Sequence, residues 1–225
     1  MEHRPGRKRG IWAIALLILG VALNAGAIAL MVSLFEGVIY AGDAMLPTLA
    51  HGDRVLLKRD PSEVRRGDIV AYDPAEWQMQ GPFVGRVVAV EGDHIAYVKG
   101  EDTLTLNGKP LDEPYVLGGA PGDPGLSFAV SVPQGRVFVL GDNRGNSADS
   151  RYSLEAQQGT LAVSDVTGVR VPEENVLMLA LGLTSTVGTL ALPVGIGLGI
   201  AALVARRKQP LPAGPVWGAV HVEES

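Results

Sequence analysis

Val137-Phe138-Val139-Leu140-Gly141-Asp142-Asn143-Arg144-Gly145-Asn146-Ser147-Ala148-Asp149-Ser150-Arg151 is the string that decides how this chain is read. Its character changes at Gly141. Arg136 to Leu140 is a short run of β-branched and large apolar residues closed by a glycine, which predicts a strand. The residues after it are polar or small, and a short helix or turn is expected after Ser150.

The same punctuation recurs outward in both directions. Arg54-Val55-Leu56-Leu57, Asp68 to Tyr72, Arg86 to Val90, Ile95 to Val98, Thr103 to Leu106 and Val166 to Val171 are each short, apolar and bounded by Gly, Pro or Asp. All read as strands. Asn107-Gly108, between Leu106 and Leu111, predicts a tight hairpin turn. No long amphipathic pattern interrupts the series, so the region is expected to be mainly β.

Composition closes several routes. The chain has 225 residues, no cysteine and a net charge of −5. Without cysteine there are no disulfides, no thiol chemistry and no cysteine-based metal sites. No His, Asp and Glu cluster has metal-ligand spacing, so neither a metal nor a cofactor is expected. The mildly acidic balance gives no footprint for nucleic acid. Within the β region the surplus acids read as solvated loops, which argues against strong electrostatic attachment to anionic lipid.

The mean hydropathy of +0.20 comes mostly from two apolar runs. Ile11 to Leu34 is broken only by Asn24, Ser33 and glycines, long enough to cross a hydrocarbon core of roughly 30 Å as a helix. His3, Arg4, Arg7, Lys8 and Arg9 precede it, and basic flanks stay in the cytoplasm. A cleaved secretory signal has a shorter apolar region, about 7–15 residues. The second run, Val176 to Ala205, carries no charge and is followed by Arg206-Arg207-Lys208. Its surplus length predicts tilt or a kink, with Pro193 the place for one. Gly195 and Gly199 form a small-residue pair able to pack on the first helix. The expected organisation is therefore a basic cytoplasmic end (1–10), a transmembrane helix (11–34), an extracytoplasmic β domain (35–175), a second transmembrane helix (176–205) and a cytoplasmic tail (206–225). That places the chain in the plasma membrane, with the lipid bilayer as its first partner.

The domain resembles bacterial type I signal peptidases. Gly42-Asp43-Ala44-Met45-Leu46-Pro47-Thr48-Leu49 is similar to the family's nucleophile box, and Gly52-Asp53-Arg54-Val55-Leu56 continues it. Arg66-Gly67-Asp68-Ile69-Val70 follows, then Gly85-Arg86-Val87-Val88-Ala89-Val90-Glu91-Gly92-Asp93, which resembles the general-base box. Asn107-Gly108-Lys109-Pro110, Glu113-Pro114-Tyr115 and Val132-Pro133-Gln134-Gly135 lead into the 137–151 string. That string matches at every position the family fixes. The resemblance implies a twisted antiparallel β fold with a peptide groove near the membrane surface, flanked here by two transmembrane helices.

The resemblance also marks two substitutions. The nucleophile slot holds Ala44 where the family has serine. The general-base slot holds Gly85 where it has lysine, or histidine in the eukaryotic-type branch. A Ser–Lys hydrolase needs an attacking hydroxyl and an amine to take its proton, and neither side chain here supplies one. Losing such a pair costs about 10⁶-fold. What remains is about 10³–10⁴ over water.

Gly42, Asp43, Ala44, Met45 and Val84 are the candidate groove residues by this resemblance. The Ala44 N–H is the surviving half of an oxyanion site, and Asp43 should point to the other side of an extended segment. Asp142, Asn143 and Arg144 are candidate scaffold tying loops behind the site. Asp149 and Arg151 would brace it by charge-assisted hydrogen bonds. Ser147 matches a serine that orients the lysine amine in the family. Three readings follow. The first is a catalytically silent, membrane-anchored relative that binds signal-peptide-like segments of exported preproteins or an active signal peptidase. The second is an active signal peptidase with a non-standard nucleophile, for which Ser147 is the least poor candidate. The third is a purely structural membrane protein.

Overall fold

The computed structural model describes residues 7–59, 63–79, 81–119, 121, 125–172 and 175–207. The basic residues before Arg7 and the tail beyond Arg207 lie outside the described residues. The chain forms two compact units, one of residues 1–30 with 176–225 and one of residues 31–175.

The first unit is a pair of helices, α1 (Arg7–Leu34) and α2 (Val176–Arg207). Both are long and apolar enough to cross a membrane. They meet through small residues, because backbones approach closely only where side chains are minimal. A Cβ on Gly20 would lie 2.8 Å from the Gly188 carbonyl oxygen, and one on Gly195 would lie 3.0 Å from Leu17. Gly199, the other half of the expected pair, sits 3.7 Å from the Ala13 Cβ by the same construction. Asn24 adds a polar clasp: its Oδ1 accepts from Ser185 Oγ at 2.9 Å, and its Nδ2 donates to the Gly20 carbonyl at 2.9 Å. Pro193 lies inside α2.

The second unit is antiparallel β. Its strands are β1 (Phe35–Ile39), β2 (Arg54–Lys58), β3 (Ile69–Tyr72), β4 (Phe83–Val90), β5 (His94–Tyr97), β6 (Thr105–Leu106), β7 (Lys109–Pro110), β8 (Phe128–Ser131), β9 (Arg136–Leu140), β10 (Leu161–Ala162) and β11 (Val166–Arg170). Seven form one sheet in the order β1-β2-β11-β3-β4-β9-β10, and four form a second in the order β7-β6-β5-β8. Asn107 and Gly108, at φ of 53° and 75°, make the turn that pairs Leu106 with Lys109, as the dipeptide predicts.

Strand β9 explains why its sequence is apolar without alternation. Phe138 and Leu140 pack into a core beside Ile95, Leu104, Phe128 and Val130, whereas Val137 and Val139 pack into a second core with Val70, Tyr72 and Trp77. Both faces are covered, so every position is apolar. A third core gathers Tyr40, Met45, Leu49, Val55, Leu57, Ile69 and Ala71. Four strands were not expected: β1, β7, β8 and β10. In β1, Glu36 and Gly37 break the apolar alternation that would mark a strand, and β7 and β10 are only two residues long. In β8, Phe128-Ala129-Val130-Ser131 is too short an alternation to stand out. The expected strand from Thr103 begins at Thr105, and the one from Arg86 begins earlier, at Phe83.

Candidate active site

The segment after β1 carries the nucleophile slot. Ala44 is half-buried and Asp43 is exposed. The 141–149 loop clamps this segment from one side: the Asn143 N–H donates to the Ala44 carbonyl at 2.9 Å, and Asn143 Nδ2 donates to the Asp43 carbonyl at 3.0 Å. Gly141 has to be a glycine, because a Cβ there would run into the Ser147 side chain and lie 2.6 Å from the Ala44 oxygen.

Gly85 lies on β4, opposite Val70 of β3. Tyr72, two residues along β3, shares that face. A Cβ on Gly85 would lie 3.3 Å from Tyr72 Cε1, 3.5 Å from the Tyr72 hydroxyl and 3.4 Å from the Leu140 carbonyl oxygen. Slot 85 therefore abuts Leu140, and slot 44 abuts Gly141. Neighbouring residues are about 3.8 Å apart along the chain, so β9 and its loop bring the two slots together.

Three ion pairs hold this junction. Asp142 is fully buried and accepts Arg86 Nε at 2.8 Å and Nη2 at 2.6 Å, and it also accepts the Thr48 hydroxyl. This fork joins the nucleophile segment, β4 and the loop in one contact. The Arg86 guanidinium also lies 4.0 Å over the Tyr115 ring. Burial would lower the Arg86 pKa, but the Asp142 carboxylate outweighs it and the net direction is up. Asp149 and Arg151 form a second fork, with Nε to Oδ1 and Nη2 to Oδ2 both at 2.8 Å. Asp149 Oδ2 also accepts the Gly141 N–H at 3.1 Å, and Arg151 Nη2 donates to the Arg144 carbonyl at 2.9 Å. Arg144, buried, donates to Glu113 Oε1 at 2.6 Å and to the Gly141 carbonyl at 2.9 Å. Asp149 additionally caps the single helical turn Ser150–Tyr152.

A groove of about 590 Å³ opens beside slot 44. It is lined by Gly42 and Ala44 of the nucleophile segment, Val38 and Ile39 of β1, Phe83 and Val84 of β4, Ala71, Ala148 and neighbouring residues. Its lining is mostly apolar and contains no lysine or histidine among the described residues. Met45 is fully buried behind this surface, in the core with Tyr40. The Ser147 side chain sits against Gly141.

Two tyrosines complete the site, and the motifs alone gave no sign of them. Tyr72 is packed against Trp77 and Phe83 and is almost wholly buried. Burial raises its pKa, and the charge of Asp149 raises it further. Tyr40 is buried beside the nucleophile slot. Its hydroxyl accepts the Met45 N–H at 3.1 Å. Its pKa is raised, chiefly by burial and secondarily by Asp43 and Asp142, against the lowering effect of the nearby Met45 and Ala44 N–H groups. The only signal was position: an aromatic residue four before the slot.

The model of the family described as signal peptidase, peptidase S26, matches residues 11–172. The chain belongs to this family. Signal peptidase I of Bacillus licheniformis is 35% identical over 164 residues, covering 68% of this chain and 84% of that protein. Signal peptidase I T of Bacillus subtilis is 34% identical over 145 residues, covering 60% and 71%. A crystal structure of a signal peptidase I from Enterococcus faecalis matches 48% of this chain and 96% of its own at 31% identity, with a TM-score of 0.38. The signal peptidase I family is membrane-anchored and acts on the signal peptides of preproteins. In this chain the mainly antiparallel β unit lies in sequence between two apolar helices.

Proposed function

We propose that this chain is a catalytically silent signal peptidase relative that holds extended apolar peptides. The observation that carries the reading is the pairing of a mostly apolar groove with a nucleophile slot beside which no lysine or histidine lines that groove, among the described residues. Ala44 lines the groove, and its methyl group has no lone pair for attack. Gly85 brings no amine, and the space a side chain would enter there is bordered by Tyr72. Tyr72 and Tyr40 do not substitute for the missing base, because both are shifted towards retaining their protons. Ser147 has a hydroxyl, but no lysine or histidine lines the groove beside it among the described residues.

The occupant is a signal-peptide-like segment of an exported preprotein or the equivalent segment of an active signal peptidase. Strand β1 is the edge of its sheet, and it runs along the groove. An extended peptide adds to such an edge by main-chain hydrogen bonds while its side chains enter the apolar wall. The helices anchor the chain in the plasma membrane. Basic residues precede α1 and end α2, so both termini face the cytoplasm and the β domain lies outside.

The test is incubation of the purified full chain with a preprotein, followed both for cleavage and for binding. Capture of the preprotein without mature product is the expected result. Appearance of mature product, or an acyl adduct on the chain, overturns the reading. Absence of both cleavage and binding would favour a purely structural role.

A further inference from the structure

We propose that Glu36 selects what the groove holds: an extended apolar peptide that carries one lysine or arginine several residues before the residue seated at Ala44. The proposal deepens the peptide-holding reading and rests on it. Among the described residues, Glu36 is the only charged side chain lining the groove. Strand register puts it there. β1 pairs Glu36 with Leu57 and Val38 with Val55, and residues paired across a ladder share a face. Leu57 and Val55 belong to the core under the groove and line it themselves. The carboxylate therefore stands on the apolar wall and not on the opposite face of β1. Its ion pair with Arg59 is long, Nε to Oε2 at 3.4 Å, and both side chains are about half exposed. Such a solvated pair contributes little, and Arg59 does not line the groove. An incoming ammonium or guanidinium group can take its place.

Geometry sets where that basic residue falls. The chain from Glu36 is a strand as far as Ile39 and turns from Asp43. A peptide alongside it, rising about 3.3 Å per residue, needs about six to eight residues to run from Ala44 to Glu36. Direction follows from the helix end, since Glu36 lies two residues past Leu34, where α1 stops. A signal-like segment has its apolar region before its small residue. Entering from the helix end, it presents the basic residue between the two. The stem of a lysine would lie along Val38 and Leu57 while its charge meets the carboxylate. A peptide with an acid at that place meets repulsion instead, so one side chain supplies both the preference and the rejection.

The experiment uses the full chain in lipid nanodiscs, as the unmodified protein, Glu36→Gln and Glu36→Lys. The probes are fluorescent peptides of leucine and valine ending in alanine. One has no charge, and the others carry a single lysine moved one position at a time, with a matching glutamate series. Anisotropy gives the affinities, and empty nanodiscs correct for partition into lipid. The unmodified chain should bind peptides with lysine about six to eight residues before the alanine roughly 2–5-fold more tightly than the uncharged peptide. Raising salt to about 1 M should remove that gain. Glu36→Gln should remove it as well. Glu36→Lys should reverse it, preferring glutamate at the same position, a result that a collapsed groove cannot give. Affinity indifferent to where the lysine sits, or a gain that survives Glu36→Gln, overturns the proposal and leaves peptide holding intact. Binding of no peptide above the empty nanodisc removes the peptide-holding function and the selectivity with it.

Discussion

Asp149→Asn separates bracing from function in the loop that follows β9. Asp149 and Arg151 are both about 1% exposed, and their fork has two bonds of 2.8 Å. Asparagine keeps the shape but leaves the Arg151 guanidinium buried without its counter-charge. Breaking a buried pair in this way costs about 3–5 kcal/mol. For a chain of 225 residues that lowers the melting midpoint by about 6–20 °C. Removing both charges, as Asp149→Leu with Arg151→Met, abandons the pair but orphans the Gly141 N–H and the Arg144 carbonyl that it also served. Those groups cost about 1–3 kcal/mol each. The double variant should therefore fall short of the sum of the two single losses, with a coupling of about 2–3 kcal/mol. Thermal unfolding of the parent, Asp149→Leu, Arg151→Met and the double variant, followed by near-ultraviolet circular dichroism, gives the cycle. Neither side chain lines the groove, so peptide binding by the folded fraction should not change. A loss below about 1 kcal/mol for Asp149→Asn, or additive singles, would mean the fork does not hold the site together.

Gly85→Lys should destabilise the chain by about 1–3 kcal/mol, because its side chain must displace the Tyr72 ring or strain against it. Adding Tyr72→Ala should recover part of that loss in the same melting assay. Asp93 predicts an acid limb: burial raises its pKa, but hydrogen bonds from Val90, Asn107 and Arg66 outweigh it and the net direction is down. A depressed carboxylate stabilises the fold above its unfolded value, near pH 4, and that contribution is lost as pH falls through the folded value. Urea midpoints measured downward from pH 5 should therefore fall, and Asp93→Asn should flatten that fall. In the helical unit, Ala13→Cys with Gly199→Cys should close a disulfide under mild oxidation, since the Cβ separation of 3.7 Å fits the bond. Because the chain has no cysteine of its own, a gel shift on reduction reads it directly, and failure to cross-link would refute the helix pairing.

The fold was legible wherever burial on one or two faces forces an apolar run between turn formers. β9, β3 and the Asn107-Gly108 hairpin are of that kind. β1 was not, because Glu36 and Gly37 interrupt its apolar residues and only its pairing with β2 makes it a strand. The site divides in the same way. Asp142, Asn143, Arg144, Asp149 and Arg151 sit close together in sequence, so the motif reports their cluster. The partners that give the cluster meaning come from far away: Thr48 and Arg86 on Asp142, and Glu113 on Arg144. Nothing local to either side of such a contact encodes it.

Tyr40 and Tyr72 show the limit most clearly. A motif records the positions that chemistry requires, and these tyrosines occupy positions where the motif asks for nothing particular. Their effect depends on what the motif positions have become. With a lysine at residue 85 the Tyr72 ring would border a side chain; with glycine there it borders the vacated slot itself. A Cβ at residue 42 would press to 3.0 Å from the Tyr40 hydroxyl, which accepts the Met45 N–H. The glycines at 42 and 85 therefore each sit against a tyrosine. Reversal of Ala44 and Gly85 alone would put a nucleophile and a base into space the tyrosines crowd. Catalysis would then depend on four positions, of which the motif names two.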